Sequence, residues 1–181
     1  NAGFIGPTAR CVADGSASTD GTFSTSGTLT TPAAGYAPGS GYVDGFAEME
    51  TTLPLAAPRQ SVEIVATVLI ERASSSQVGR LGYLAPRVAS STSITVFVFD
   101  GGCECYVGGG QDITSTASDA EQQVVNRTVQ VRVSLEDWFG SSVAGPVTVR
   151  VSASGRASTG FAAVGSASWE LSGRVLSVSV V

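Results

Sequence analysis

Val125-Asn126-Arg127-Thr128-Val129-Gln130-Val131-Arg132-Val133-Ser134-Leu135 is the stretch that decides the fold. Apolar and polar residues alternate at period two, the spacing of a strand with one face in the core and one in water. On a helix the same valines would spread around the whole surface. Arg127 falls on the valine side, where a guanidinium needs either a partner or solvent.

The period recurs on both sides of this stretch. Val147, Val149, Val151 and Ala153 alternate with Thr148, Arg150, Ser152 and Ser154. Phe161, Ala163, Gly165, Ala167, Trp169 and Leu171 share a second face, and Leu176, Val178 and Val180 a third. Upstream, residues 21–31 are rich in Ser and Thr, with Phe23 and Leu29 on one side. Over 42–53, Val43, Ala47, Met49 and Leu53 oppose Tyr42, Asp44, Phe46, Glu48 and Glu50. Segments 61–71 and 93–100 are apolar on both faces in their middles, which predicts inner strands covered on both sides. Residues 73–91, with Ser74-Ser75-Ser76, Gly79, Gly82 and Pro86, read as a long surface loop, and 108–123 as a second. Capping-box spacing at 118–121 and 134–137 predicts single helical turns. Crossover helices for a parallel sheet are missing from this pattern. The chain therefore reads as all-β: an antiparallel β-sandwich or jelly roll of about eight or nine strands.

Composition narrows the functional classes. The chain has 181 residues, of which 43% are hydrophobic but only 7% aromatic, and 14% are charged. An ordinary soluble domain carries roughly 25% charge. The length suits one domain with an extension, divided here into an N-terminal segment 1–20 and a sandwich 21–181. The formal net charge is −5 and all ten basic residues are arginine. Such a surface is a poor partner for nucleic acid. There is no histidine, which removes Ser-His-Asp and Cys-His catalysis and most zinc sites. No metal, no cofactor and no enzymatic activity are expected. No apolar run approaches the ~20 residues of a membrane-spanning helix, so no transmembrane segment is expected. Low charge with abundant Ser, Thr and Gly predicts an exported protein, extracellular or at the cell surface.

Cys11, Cys103 and Cys105 are the disulfide candidates. Cys103 and Cys105 lie two apart on one strand face, where direct pairing is strained. A bond from Cys11 to either one would staple the N-terminal segment to the body and leave one thiol over. The segment itself is small and polar apart from Phe4 and Ile5. Two readings fit it: coil or strand packed on its own domain, or an arm whose Phe4 and Ile5 add to the open sheet edge of a neighbouring copy.

Glu48 and Glu50 fall on one strand face, about 6.8 Å apart at ~3.4 Å per residue. Paired carboxylates at such spacing serve glycoside hydrolysis, but there they flank the scissile bond rather than share a strand. A solvated outer face explains them better. Asp100, Glu104 and Asp112 supply hard oxygen ligands of the kind calcium takes, but no Asp or Asn spacing here resembles an EF-hand.

The leading expectation is an extracellular structural subunit that self-assembles with copies of itself into a filament, pilus-like fibre or surface coat. Low charge and positive mean hydropathy of +0.23 favour it, because burial in an assembly removes a surface prone to stick. The alternative is a secreted carbohydrate-binding or adhesive β-sandwich module with cell-surface glycans as partners. Tyr36, Tyr42, Tyr83 and Tyr106 are its contact candidates, being aromatic residues in Gly- or Pro-rich surroundings. A virion coat or decoration protein is a second alternative.

Overall fold

The computed structural model describes residues 2–3, 10–31, 41–55, 62–80, 88–100, 106–116, 121–136, 145–159 and 164–181. Ten strands occupy them: β1 (Ala2–Gly3), β2 (Arg10–Ala17), β3 (Thr22–Thr31), β4 (Gly41–Leu53), β5 (Glu63–Arg80), β6 (Val88–Asp100), β7 (Tyr106–Thr116), β8 (Glu121–Ser134), β9 (Val147–Thr159) and β10 (Val164–Val180). Sheet A has the order β1-β4-β9-β6-β7 and sheet B the order β2-β3-β10-β5-β8. All pairings are antiparallel. From β3 to β10 the chain changes sheet at every step except β6 to β7. The orders β3-β10-β5-β8 and β4-β9-β6-β7 interlock as two Greek keys, which makes the sandwich a jelly roll.

β2 and β1 extend the two sheets beyond β3 and β4. Arg10 to Ala17 pair residue for residue with Thr30 to Phe23. This part of the N-terminal segment is thus hydrogen-bonded into the chain's own sheet B. Phe4 and Ile5 lie outside the described residues.

The facing sides of the sheets make the core. Ile64, Ala66, Val68 and Ile70 from β5 meet Ile94, Val96 and Val98 from β6, with Val129, Val131 and Val133 of β8 alongside. A smaller cluster joins Leu29, Val43, Val88, Ala157 and Ala167 around Trp169. The indole of Trp169 fills the space left by Gly27 of β3 and Gly155 of β9, where any Cβ would overlap its ring. A Cβ on Gly45 of β4 would lie 3.2 Å from the same ring. One side chain from sheet B is therefore seated on two glycine strands of sheet A. Its neighbourhood also holds a layer of buried hydroxyls. Thr92 and Thr114 share a 2.7 Å hydrogen bond and Ser90 and Thr116 one of 2.9 Å. These bonds remove the penalty of burying hydroxyls away from water.

Glycines also pinch the sandwich shut at its sides. A Cβ on Gly15 of β2 would collide with the carbonyl of Phe46 in β4, and one on Gly109 of β7 would lie 2.8 Å from the carbonyl of Arg132 in β8.

The structure corrects several local expectations. The first loop expected over 73–91 is in large part strand, because β5 runs on to Arg80 and β6 begins at Val88. Ser75 and Gln77 point inward there and are buried, so this strand's inner face is polar and shows no apolar alternation. The second, over 108–123, is β7 to Thr116 and β8 from Glu121. Pairing with β6 overrides the low strand preference of Gly108-Gly109-Gly110. The valine face of β8 is not continuous. Asn126 has φ of 51°, the pairing skips both it and Glu71 without a change of register, and the inward phase switches there. Val124 packs on the core while Val125 and Arg127 are exposed. Finally, β6 is an inner strand of sheet A, but its second face, with Phe97 and Phe99, is only half-buried.

Candidate functional site

The register of sheet A arranges its outer face in rows. Asp44, Arg156 and Ser91 lie side by side on β4, β9 and β6. The next row is Phe46, Ser154 and Ser93, continued by Asp112 on β7. Then come Glu48, Ser152, Thr95 and Gly110, followed by Glu50, Arg150, Phe97 and Gly108. Thr52, Thr148, Phe99 and Tyr106 close the series. Alternation along each strand sends these side chains outward because their neighbours in sequence fill the core.

A groove of about 430 Å³ sits at the first rows of this face. Ser91, Ser93, Ser152 and Ser154 form its floor, with Phe46 and Glu48 on one side and Arg156 on another. Phe46 is 48% exposed, so much of its apolar surface is open to solvent beside the groove. Ser93 and Ser154 join their hydroxyls at 2.9 Å across β6 and β9. The Arg156 guanidinium pairs with Asp44 at 3.1 Å and lies 4.7 Å from the centre of the Tyr42 ring. Cation and ring hold each other in place, a contact worth about 0.5–1 kcal/mol at an exposed site.

A second aromatic group stands at the far end of the face. Phe97, Phe99 and Tyr106 pack together with ring centres 5.5 to 6.3 Å apart. Tyr106 is the most open of them, at 59% exposed. Arg150 lies 4.9 Å from the centre of the Phe99 ring. It also donates through Nε to Glu50 at 2.7 Å and reaches Glu48 at 3.8 Å. The acid pair singled out from sequence is therefore a clasp around one arginine on an outer face. Fixed guanidinium and carboxylate groups beside hydroxyls offer both donors and acceptors, and the open rings offer flat apolar surface. That combination suits a ligand rich in hydroxyls with one apolar side.

Of the tyrosines expected to contact a ligand, Tyr42 and Tyr106 both stand exposed on this face; Tyr36 and Tyr83 lie outside the described residues. So do Cys103 and Cys105. The backbone of Cys11 pairs with Leu29, and its side chain is outside the description. Phe46, Phe97, Phe99 and Arg156 were not singled out by sequence reasoning. Phe46 carried a usable signal, since it shares the outward phase of Tyr42, Asp44 and Glu48. Among the described residues no group of three His, Cys, Asp or Glu is placed to hold a metal ion, and no helix is long and apolar enough to cross a membrane.

No protein-family model matches the chain, and no curated protein does. Solved structures with weak similarity to it include two. A carbohydrate-binding module, TmCBM61 in complex with beta-1,4-galactotriose, is 10% identical with a TM-score of 0.26, covering 94% of this chain and 87% of that one. The enzymatically active domain of bacteriophage CBA120 tailspike protein 4 is 12% identical with a TM-score of 0.23, covering 87% of this chain. This chain spans only 19% of that tailspike domain. Likenesses this distant locate no residue of the present protein.

Proposed function

We propose that this protein is an extracellular carbohydrate-binding β-sandwich module, without catalytic activity, that holds glycans on the outer face of sheet A. Of the readings open from the sequence, this is the one the face favours. The observation that carries it is the groove lined together by the half-exposed Phe46, four serines and an arginine–aspartate pair. A sugar ring would lay its apolar side on Phe46 and direct its hydroxyls to the serines, Glu48, Asp44 and Arg156. Binding is the reading for Glu48 and Glu50 too, because Arg150 engages both. Glycan-array binding of the purified protein tests this, with Phe46→Ala as the paired sample. Retained binding by Phe46→Ala, or binding to no glycan, would remove the groove as the site.

A further inference from the structure

We infer that the glycan bound here is a neutral chain of several sugar residues, lying obliquely across sheet A from Phe46 to Tyr106. This rests on the carbohydrate-binding reading above and adds the length, direction and charge of the ligand.

Length and direction come from the register. Phe46 aligns with Ser154 and Ser93, and Phe97 is four residues further along β6 from Ser93. At ~3.4 Å per residue and ~4.8 Å between strands, Phe46 and Phe97 stand roughly 17 Å apart, and Phe46 and Tyr106 roughly 25 Å. A single sugar cannot touch both ends. The line joining Phe46 to Tyr106 crosses the small Ser152 and then Phe97, with Thr95 and Gly108 next to them in their rows on one side. Gly110 and Gly108 leave one bank of that line without side chains, and a Cβ on Gly108 would already press on the Phe97 ring at 3.0 Å. Glu50 and Arg150 form the other bank. The face is thus a trough with an aromatic stop at each end, rather than a lone pocket.

The charge of the ligand follows from the ion pairs. Among the described residues of this face, Arg150 and Arg156 stand against Asp44, Glu48, Glu50 and Asp112. Both guanidinium groups are already paired, at 2.5 Å to Glu50 and 3.1 Å to Asp44. A polyanionic glycan would meet an excess of carboxylates and find its natural partners engaged. Neutral hydroxyls can bridge the same pairs without breaking them.

The test is calorimetric titration of the whole chain with neutral gluco- and galacto-oligosaccharides from disaccharide to hexasaccharide, and with polygalacturonate. The expected result is affinity for one neutral series that rises about tenfold or more with length, changes little with salt, and exceeds that for polygalacturonate. In Tyr106→Ala, checked by thermal melting for an intact fold, the ratio of hexasaccharide to disaccharide affinity should collapse. A disaccharide that binds as tightly as the hexasaccharide would overturn the extended path and leave the groove reading standing. Preference for polygalacturonate would overturn neutrality alone. Binding of none of these probes together with a blank glycan array would overturn the function itself. A length gain that survives Tyr106→Ala would remove the second aromatic stop.

Discussion

The outer faces of sheets A and B are built from the same alternation, yet they carry different chemistry. On sheet B, Ser24, Ser26, Thr28 and Thr30 of β3 lie opposite Ser172, Glu170, Ser168 and Ser166 of β10. Beyond them come Arg72, Ser74 and Ser76 of β5. The aromatic residues described on strands of sheet B, Phe23 and Trp169, are buried. On sheet A the outward positions include Tyr42, Phe46, Phe97, Phe99 and Tyr106. Both faces have ion pairs, Arg72 with Glu170 at 3.3 Å on sheet B and Arg156 with Asp44 at 3.1 Å on sheet A. A hydroxyl-covered strand face is enough to keep a sandwich in water. Open rings on top of it cost solubility, so their concentration on one sheet points to contact with something else.

The comparison assumes that the two sheets are held back to back, and the largest expected effect breaks that. Gly155→Leu forces a side chain into the Trp169 ring, which Gly27 and Gly45 confine from other strands. It should cost about 3 kcal/mol or more, read from the urea midpoint. A loss under about 0.5 kcal/mol would mean that Trp169 does not lock the sheets. The next effect separates the faces. Phe46→Ala with Tyr106→Ala should weaken glycan binding about a hundredfold, whereas Ser24→Ala with Thr28→Ala on sheet B should leave it within about twofold. Equal losses from both pairs would erase the distinction between the faces.

Smaller effects sharpen the comparison. Arg150→Ala on sheet A and Arg72→Ala on sheet B each break an exposed or half-exposed ion pair, so each should cost under about 1 kcal/mol in thermal unfolding. Only Arg150→Ala should also reduce glycan affinity, by several-fold, because it frees the Glu48 and Glu50 carboxylates and the Phe99 ring. The smallest effect lies in the turn between β2 and β3. The Thr22 hydroxyl, 2.6 Å away, and the Thr22 backbone N–H donate to Asp20 and hold its carboxyl at about 2 rather than 3.8. A depressed folded-state value stabilises the protein above the unfolded value and loses that contribution as pH falls through the folded one. Asp20→Asn should therefore be less stable than the parent at pH 5, with the difference shrinking between about pH 4 and 2. A difference that stays constant across that window, followed by urea unfolding, would detach the effect from this carboxyl.

Much of the sandwich was legible because period two is a local signal. Residues 147–153 and 129–135 alternate as their strands do, and so do residues 42–50 of β4. The alternation also placed Tyr42, Glu48 and Glu50 on an outer face. It failed over 73–80, where Ser75 and Gln77 carry buried hydroxyl and amide groups on the inner face, and over Gly108-Gly109-Gly110, which pair with β6. It also misread Phe97 and Phe99, since an apolar run does not reveal whether a second layer covers it.

What the sequence determined by itself was the class of fold and the inward side of β4, of β9 and of residues 129–135, because side-chain direction alternates with every residue whatever the strand's neighbours are; Leu176 and Val180, expected on such a face, are exposed. Strand order was decided by tertiary structure alone. That order places β9 and β6 between β4 and β7, and so sets Phe46 and Tyr106, sixty positions apart in the chain, at the two ends of one trough. Pairing between distant strands depends on how whole faces pack, and no local pattern encodes it.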